Sequence, residues 1–160
     1  MSRIYTVSYT GTITNAGGNV DYLEVTPADD KPCKLRGWII SQISEVADAA
    51  EEGLSLSVMR LPATFTTGNG TSTTGIPMDS ADAAAGFAAE CNGATVATTS
   101  GSAVVLMEIG WINRNSPWEF WFPDANFCPK VKQGEGLIVR QNTTLADDMT
   151  GCFTFFIEEE

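Results

Sequence analysis

The chain contains no histidine. That removes the usual general base, the nucleophile triads built on imidazole, and the commonest metal ligand. Positive charge is scarce as well. Nine Lys and Arg stand against 20 Asp and Glu, a net charge of −11. A protein that tracks phosphates needs clustered cations to release counterions, so nucleic acid is not an expected partner. The acidity fits solubility first, and complementarity to a basic surface second. No apolar run approaches the ~20 residues of a membrane span, so no membrane is expected either. The Met1–Thr6 stretch shows no charged-then-apolar signal segment, and the expected site of synthesis is the cytoplasm.

Paired cysteines are missing too. Cys33, Cys91, Cys128 and Cys152 lie far apart and form no C-x-x-C pair, so no zinc site is expected. Each has apolar or strand-like neighbours, which suits reduced packing residues. Sequence separation alone leaves a disulfide open. Neither G-x-x-x-x-G-K-[ST] nor G-x-G-x-x-G occurs, and the glycine clusters fall between strands, where they act as turns. No cofactor is expected. A calcium site among Asp29, Asp30, Asp48, Glu51 and Glu52 is conceivable, although nothing matches the D-x-[DN]-x-[DN]-G loop.

What is present is a strand pattern. Tyr5, Val7, Tyr9 and Ile13 share one parity, with Thr6, Ser8, Thr10 and Thr12 on the other, as in a half-buried strand. Further strands are predicted at Val20–Thr26 and Leu35–Ile43, then from Leu54 with a stop at Pro62, and at Phe87–Cys91, Thr95–Thr99, Ala103–Ile112, Trp118–Phe122, Leu137–Asn142 and Cys152–Ile157. Turn residues separate many of them, including Asn92-Gly93 and Gly134-Glu135-Gly136. The stretch Ser44–Gly53 reads as a loop with one helical turn at most. Glu51 and Glu52 would otherwise sit at the negative end of a helix dipole. Residues 63–86 are small, polar and irregular, with a short helix expected at Ser80–Ala85.

Many short strands with no helical pattern long enough for a βαβ unit predict an all-β antiparallel sandwich. The long connections favour a jelly roll over an up-and-down barrel. Residues 1–160 fit one domain with one long irregular loop at about 63–86. A chain of this length buries roughly 68–70% of its unfolded surface, and 43% hydrophobic residues suffice to build a core without metal or disulfide.

Catalytic residues are not expected. Glu108 and Glu119 are the best candidates for a glycosidase-like carboxylate pair, against the plainer reading that each faces solvent from a strand. The aromatic strand Trp118-Glu119-Phe120-Trp121-Phe122, bounded by Pro117 and Pro123, is more informative. It places aromatics on both faces, and both cannot point to one core. The outer face is expected to meet covering loops, a protein partner or a sugar.

Three stretches carry a family resemblance: Glu24-Val25-Thr26-Pro27-Ala28-Asp29-Asp30-Lys31-Pro32, Ser41-Gln42-Ile43-Ser44-Glu45-Val46-Ala47-Asp48-Ala49-Ala50-Glu51-Glu52, and Ala84-Ala85-Gly86-Phe87-Ala88-Ala89-Glu90-Cys91-Asn92. They loosely span residues 1–112, and the final third is similar in character only. In these the chain resembles the capsid decoration, or cement, proteins of tailed bacteriophages. The resemblance implies a non-enzymatic virion protein on the exterior of the head, assembled in the host cytoplasm. Its partners would be the major capsid protein and two further copies of itself. On that view Trp118, Phe120, Trp121 and Phe122, with Tyr5 of the N-terminal strand, are the interface candidates. The alternatives are another virion module (tail, baseplate or head fibre), a carbohydrate-binding jelly roll, or a glycosidase-like enzyme.

Overall fold

The structure, a computed structural model, describes residues 2–14, 18–43, 51–114 and 117–160. Fourteen strands are found among them, and no helix. In chain order they are β1 (Arg3–Ile13), β2 (Val20–Thr26), β3 (Cys33–Gln42), β4 (Gly53–Leu61), β5 (Phe65–Thr66), β6 (Thr71–Thr73) and β7 (Ile76–Pro77). There follow β8 (Ala88–Cys91), β9 (Thr98–Thr99), β10 (Val104–Ile112), β11 (Trp118–Trp121), β12 (Lys130–Val131), β13 (Gly136–Gln141) and β14 (Met149–Glu159).

Two six-stranded sheets form the body. Sheet A runs β11-β3-β14-β1-β7, with β12 also on β3, and sheet B runs β10-β4-β13-β2-β8-β6. Every strand pairing is antiparallel. The all-β sandwich expected from the sequence is therefore the observed architecture. Its long β1–β14 ladder runs in unbroken register from Arg3↔Glu159 to Ile13↔Met149.

The core follows from strand alternation. Tyr5, Val7 and Ile13 of β1 and Phe153, Phe155 and Ile157 of β14 point inward from sheet A. Tyr22, Leu23 and Val25 of β2, Leu54, Leu56 and Val58 of β4, and Leu137 and Val139 of β13 meet them from sheet B. Tyr22 stacks on Phe153 across the sandwich, with ring centroids 4.3 Å apart. Trp38 is fully buried at the β11 side of the core.

Sheet B is covered on its outer face as well. Met59, Leu61 and Ile138 alternate with the inward residues and form a second apolar cluster with Ala97, against which Phe65 packs. Ala97 and Phe65 belong to the long connection between β4 and β10. The stretch expected to be irregular, 63–86, therefore contains three short strands: β5 pairs β9, β6 extends sheet B, and β7 extends sheet A.

Several expectations need correction. Ser80–Ala85 is not helical but opens with a turn, in which Asp79 accepts hydrogen bonds from Ala81 N to its side chain (2.9 Å) and from Asp82 N to its carbonyl (3.0 Å). Asp and Ser favour such local bonds over a helical ladder. The strand expected at Thr95–Thr99 shrinks to Thr98–Thr99, because Thr95 turns its backbone to Asn69 instead. Residues 44–50 of the expected Ser44–Gly53 loop lie outside the described residues. The Asn92-Gly93 turn is present, with Asn92 at φ 57°, a left-handed conformation Asn tolerates better than most residues.

Candidate interaction surface

β10 and β11 are both edge strands, one per sheet, on the same side of the sandwich. β10 pairs only with β4, and β11 only with β3. Each leaves one row of backbone groups without a strand neighbour, a template that soluble proteins usually blunt with charge or proline. β10 is not blunted in that way, since Glu108 is the one charge in Val104–Ile112. A register irregularity between Val105 and Met107 spares Leu106 a direct cross-strand partner. Val104 is 42% exposed, Val105 50% and Leu106 40%, while Phe127, beyond β11, is 69% exposed.

The aromatic strand divides its two faces as alternation requires. Trp118 and Phe120 turn inward and are half-buried against Trp38, Phe120 stacking on it at 4.8 Å and Trp118 meeting it edge-on at 5.3 Å. Trp118 also stacks on Trp111 of β10, which bridges the two sheets. Phe122, just past the strand, meets Trp38 edge-on at 6.1 Å. Of the aromatic residues in β11, Trp121 alone points outward, 46% exposed, and leans on Phe156 of β14. Its indole N–H donates to the Glu119 carboxylate. Gly37 of β3 permits this docking, because a Cβ there would lie 2.4 Å from the Phe120 carbonyl oxygen.

Between the two edges lies a cleft of about 620 Å³, lined by Leu106, Met107, Phe120, Phe122, Phe127 and Arg60 among others. Most of its wall is apolar. The Arg60 guanidinium has no ion-pair partner among the described residues. Lys130, at the rim, pairs with Glu160.

Tyr5 does not belong to any such surface. It is fully buried, its ring meets Phe87 edge-on at 5.5 Å, and its hydroxyl donates to Ala83 O at 3.1 Å. It shares the parity of Val7 and Ile13, and that parity faces the core. Glu108 and Glu119 are not brought together: both are exposed, on the outward faces of opposite sheets. Of the conceivable calcium ligands, Asp48 lies outside the described residues. No group of three or more His, Cys, Asp or Glu able to hold a metal occurs among the described residues. Glu52 instead accepts Ala146 N at 3.0 Å. All four cysteines are free thiols, and burial pushes Cys33 and Cys91 up to about 12.

Sequence reasoning missed a set of buried carboxylates. Asp21, Glu24 and Glu159 are each under 5% exposed. Asp21 accepts Ala97 N at 2.7 Å, Glu24 accepts Gly68 N at 3.0 Å, and Glu159 accepts Gly86 N at 2.8 Å and Phe87 N at 3.1 Å. Together they fasten the polar connection to the sandwich through its backbone amides. Arg140 neutralises Asp21 through two hydrogen bonds and also holds Ala97 O at 2.7 Å. Even so, burial outweighs Arg140 and raises the Asp21 carboxyl above its ordinary value. Acidic residues inside Val20–Thr26 were the available signal, since a buried strand has no reason to carry them without partners.

Comparison with protein-family models, with curated proteins and with solved structures finds no match to this chain.

Proposed function

We propose that this protein is a non-enzymatic structural component of a bacteriophage virion, a decoration protein that binds the outside of the head as a trimer and stabilises it. The observation that supports a binding role is the apolar β10 edge, with Val104, Val105 and Leu106 exposed, beside a cleft that Leu106 and the exposed Phe127 line. Contiguous exposed apolar surface with a free strand edge is costly to keep in water and marks a contact surface. The sequence resemblance supplies the partner, the major capsid protein. We further propose that the sandwich is a jelly roll. Its eight principal strands fall in the orders β1-β14-β3-β11 and β2-β13-β4-β10, the nested pairing of first with last that two Greek keys produce.

The test is co-sedimentation of the purified protein with heads of its phage stripped of this protein. Saturable binding to heads, with none to isolated tails, is the expected result. Binding to tails alone would replace the decoration role by a tail or baseplate one. Carbohydrate binding is the second reading, and Trp121 favours it: a half-exposed indole braced at a tilt against Phe156, beside a carboxylate, is a stacking platform for a sugar ring. Glycan-array signal abolished by Trp121→Ala would support that reading.

A further inference from the structure

The sandwich has two opposite sides that present different surfaces. One side carries the β10 and β11 edges and the cleft. At the other, β7 and β6 end the two sheets. From that far side Ile76 and Met78 project, 58% and 62% exposed, and Asp79 follows them, also exposed. These residues are held firmly. Ile76–Pro77 pairs with Tyr5–Thr6 of β1, and Met78 N donates to Ile4 O at 2.8 Å. One oxygen of Asp79 closes its own turn, leaving the other for a partner.

Charge distinguishes the two sides as well. Six of the nine cations, Arg3, Lys31, Lys34, Arg36, Lys130 and Arg140, are bound to carboxylates of this same chain. Among the described residues Arg60 and Lys132 are not, although 20 acids are present, and of these two it is Arg60 that lines the apolar cleft. In a chain of net charge −11, a cation left without a carboxylate in the wall of an apolar cleft points to a carboxylate that arrives with whatever fills the cleft. The two apolar side chains followed by a carboxylate at Ile76, Met78 and Asp79 have the matching chemistry.

We propose that the chain associates head to tail with copies of itself: Ile76 and Met78 of one copy seat in the cleft of the next, and Asp79 meets Arg60. The contact joins two different patches, so it is heterologous and forms a closed ring when the rotation between copies permits. The inference deepens the trimeric decoration role and rests on that reading for the ring size.

The experiment is native mass by light scattering on a size-exclusion column at roughly 100 μM chain, a level at which contacts of micromolar strength are populated. The wild-type protein is expected at three times the 17.1 kDa chain mass. Met78→Glu and Leu106→Glu each place a charge on one half of the contact at an exposed position, and each is expected to run as a monomer with an unchanged thermal midpoint. Asp79→Asn keeps the acceptor for the turn but removes the charge, and weakens assembly about tenfold. Mixing Met78→Glu with Leu106→Glu is the decisive arm. One copy retains an intact cleft and the other an intact knob, so the mixture forms a two-chain species and stops there. A monomeric wild type, single variants that remain trimeric, or a mixture that stays monomeric would each overturn the inference. Head binding by the same samples is scored separately. A monomer that still saturates heads defeats the ring while leaving the decoration role standing.

Discussion

Glu24 sits opposite Glu90 in the β2–β8 ladder, so the two side chains leave the same face with Cβ atoms about 5 Å apart. Glu24 uses one oxygen for Gly68 N, while its other oxygen and one oxygen of Glu90 are buried with no hydrogen-bond partner. Burial raises the Glu24 carboxyl above its ordinary value, and Glu90 and Asp21 push it further, against the Gly68 amide and Arg140. A raised folded-state value means that the native chain holds this proton more tightly than the unfolded chain does. The contribution of Glu24 to stability is therefore greatest in acid and is lost as pH rises from the ordinary value of 4.5 through the folded one.

Glu24→Gln relieves the penalty. The amide oxygen keeps the Gly68 bond, and the new NH2 group donates to the unpartnered Glu90 oxygen. Satisfying a buried orphan of this kind is worth about 1–3 kcal/mol, and each kcal/mol moves the thermal midpoint of a chain this size by about 2–4 °C. The variant is expected to melt several degrees above wild type near neutral pH. The gap should narrow in acid, where Glu24 itself carries a proton. Urea-unfolding midpoints of both proteins across that pH range measure it. A variant less stable than wild type at neutral pH, or a gap that does not depend on pH, would refute the account.

Two further outcomes follow from the packing. Cys33 and Cys91, with thiols raised to about 12 by burial, should react with iodoacetamide only as fast as the whole domain unfolds, whereas half-buried Cys152 labels first. Mass-spectrometric labelling kinetics in the native state check this, and rapid modification of Cys33 would sink it. Gly37→Ala drives a Cβ to 2.4 Å from the Phe120 carbonyl oxygen and 2.8 Å from the Trp121 ring. It should cost about 1–3 kcal/mol and shift tryptophan fluorescence as β11 loosens, and a neutral result would mean that β11 does not dock as described.

Legibility differed between side-chain and backbone interactions. Alternation in Tyr5, Val7, Tyr9 and Ile13 announced β1 and its buried face, and on the same logic Tyr5 was a core residue from the outset. The aromatic strand showed that its two faces must differ, but the choice of solvent face depended on Trp38, some 80 residues away in sequence, which claims Trp118 and Phe120. The first part of the connection after β4, residues 63–86, read as small, polar and irregular. Beyond Phe65, Phe87, Ala89, Cys91 and Ala97 the side chains of the connection bury little, and its amides are fastened on distant carboxylates. Asp21 and Glu24 are three residues apart yet both take amides of the connection, because β2 shifts register against β13 between Val139 and Arg140. No period-2 reading anticipates such a shift.

The carboxylates and the exposed knob are parts of one construction. Glu159 holds Gly86 and Phe87, Tyr5 holds Ala83, and Arg3 pairs with Asp82 at 3.2 Å, all within a few residues of Met78 and Asp79. A polar loop without these ties would have to order itself upon binding, at a cost in affinity. Tied down, it presents Ile76 and Met78 on a fixed backbone beside β1. The edge it leaves uncovered, β10 with Arg60, lies at the far end of the same sheet that the connection otherwise seals. A chain meant to stay alone would gain by covering that edge too, and it has a connection of some forty residues (62–103) with which to do so. Spending that length on the outer face of sheet B and on the β6–β7 side, while β10 stays open and apolar, is the arrangement that favours contact with a further chain.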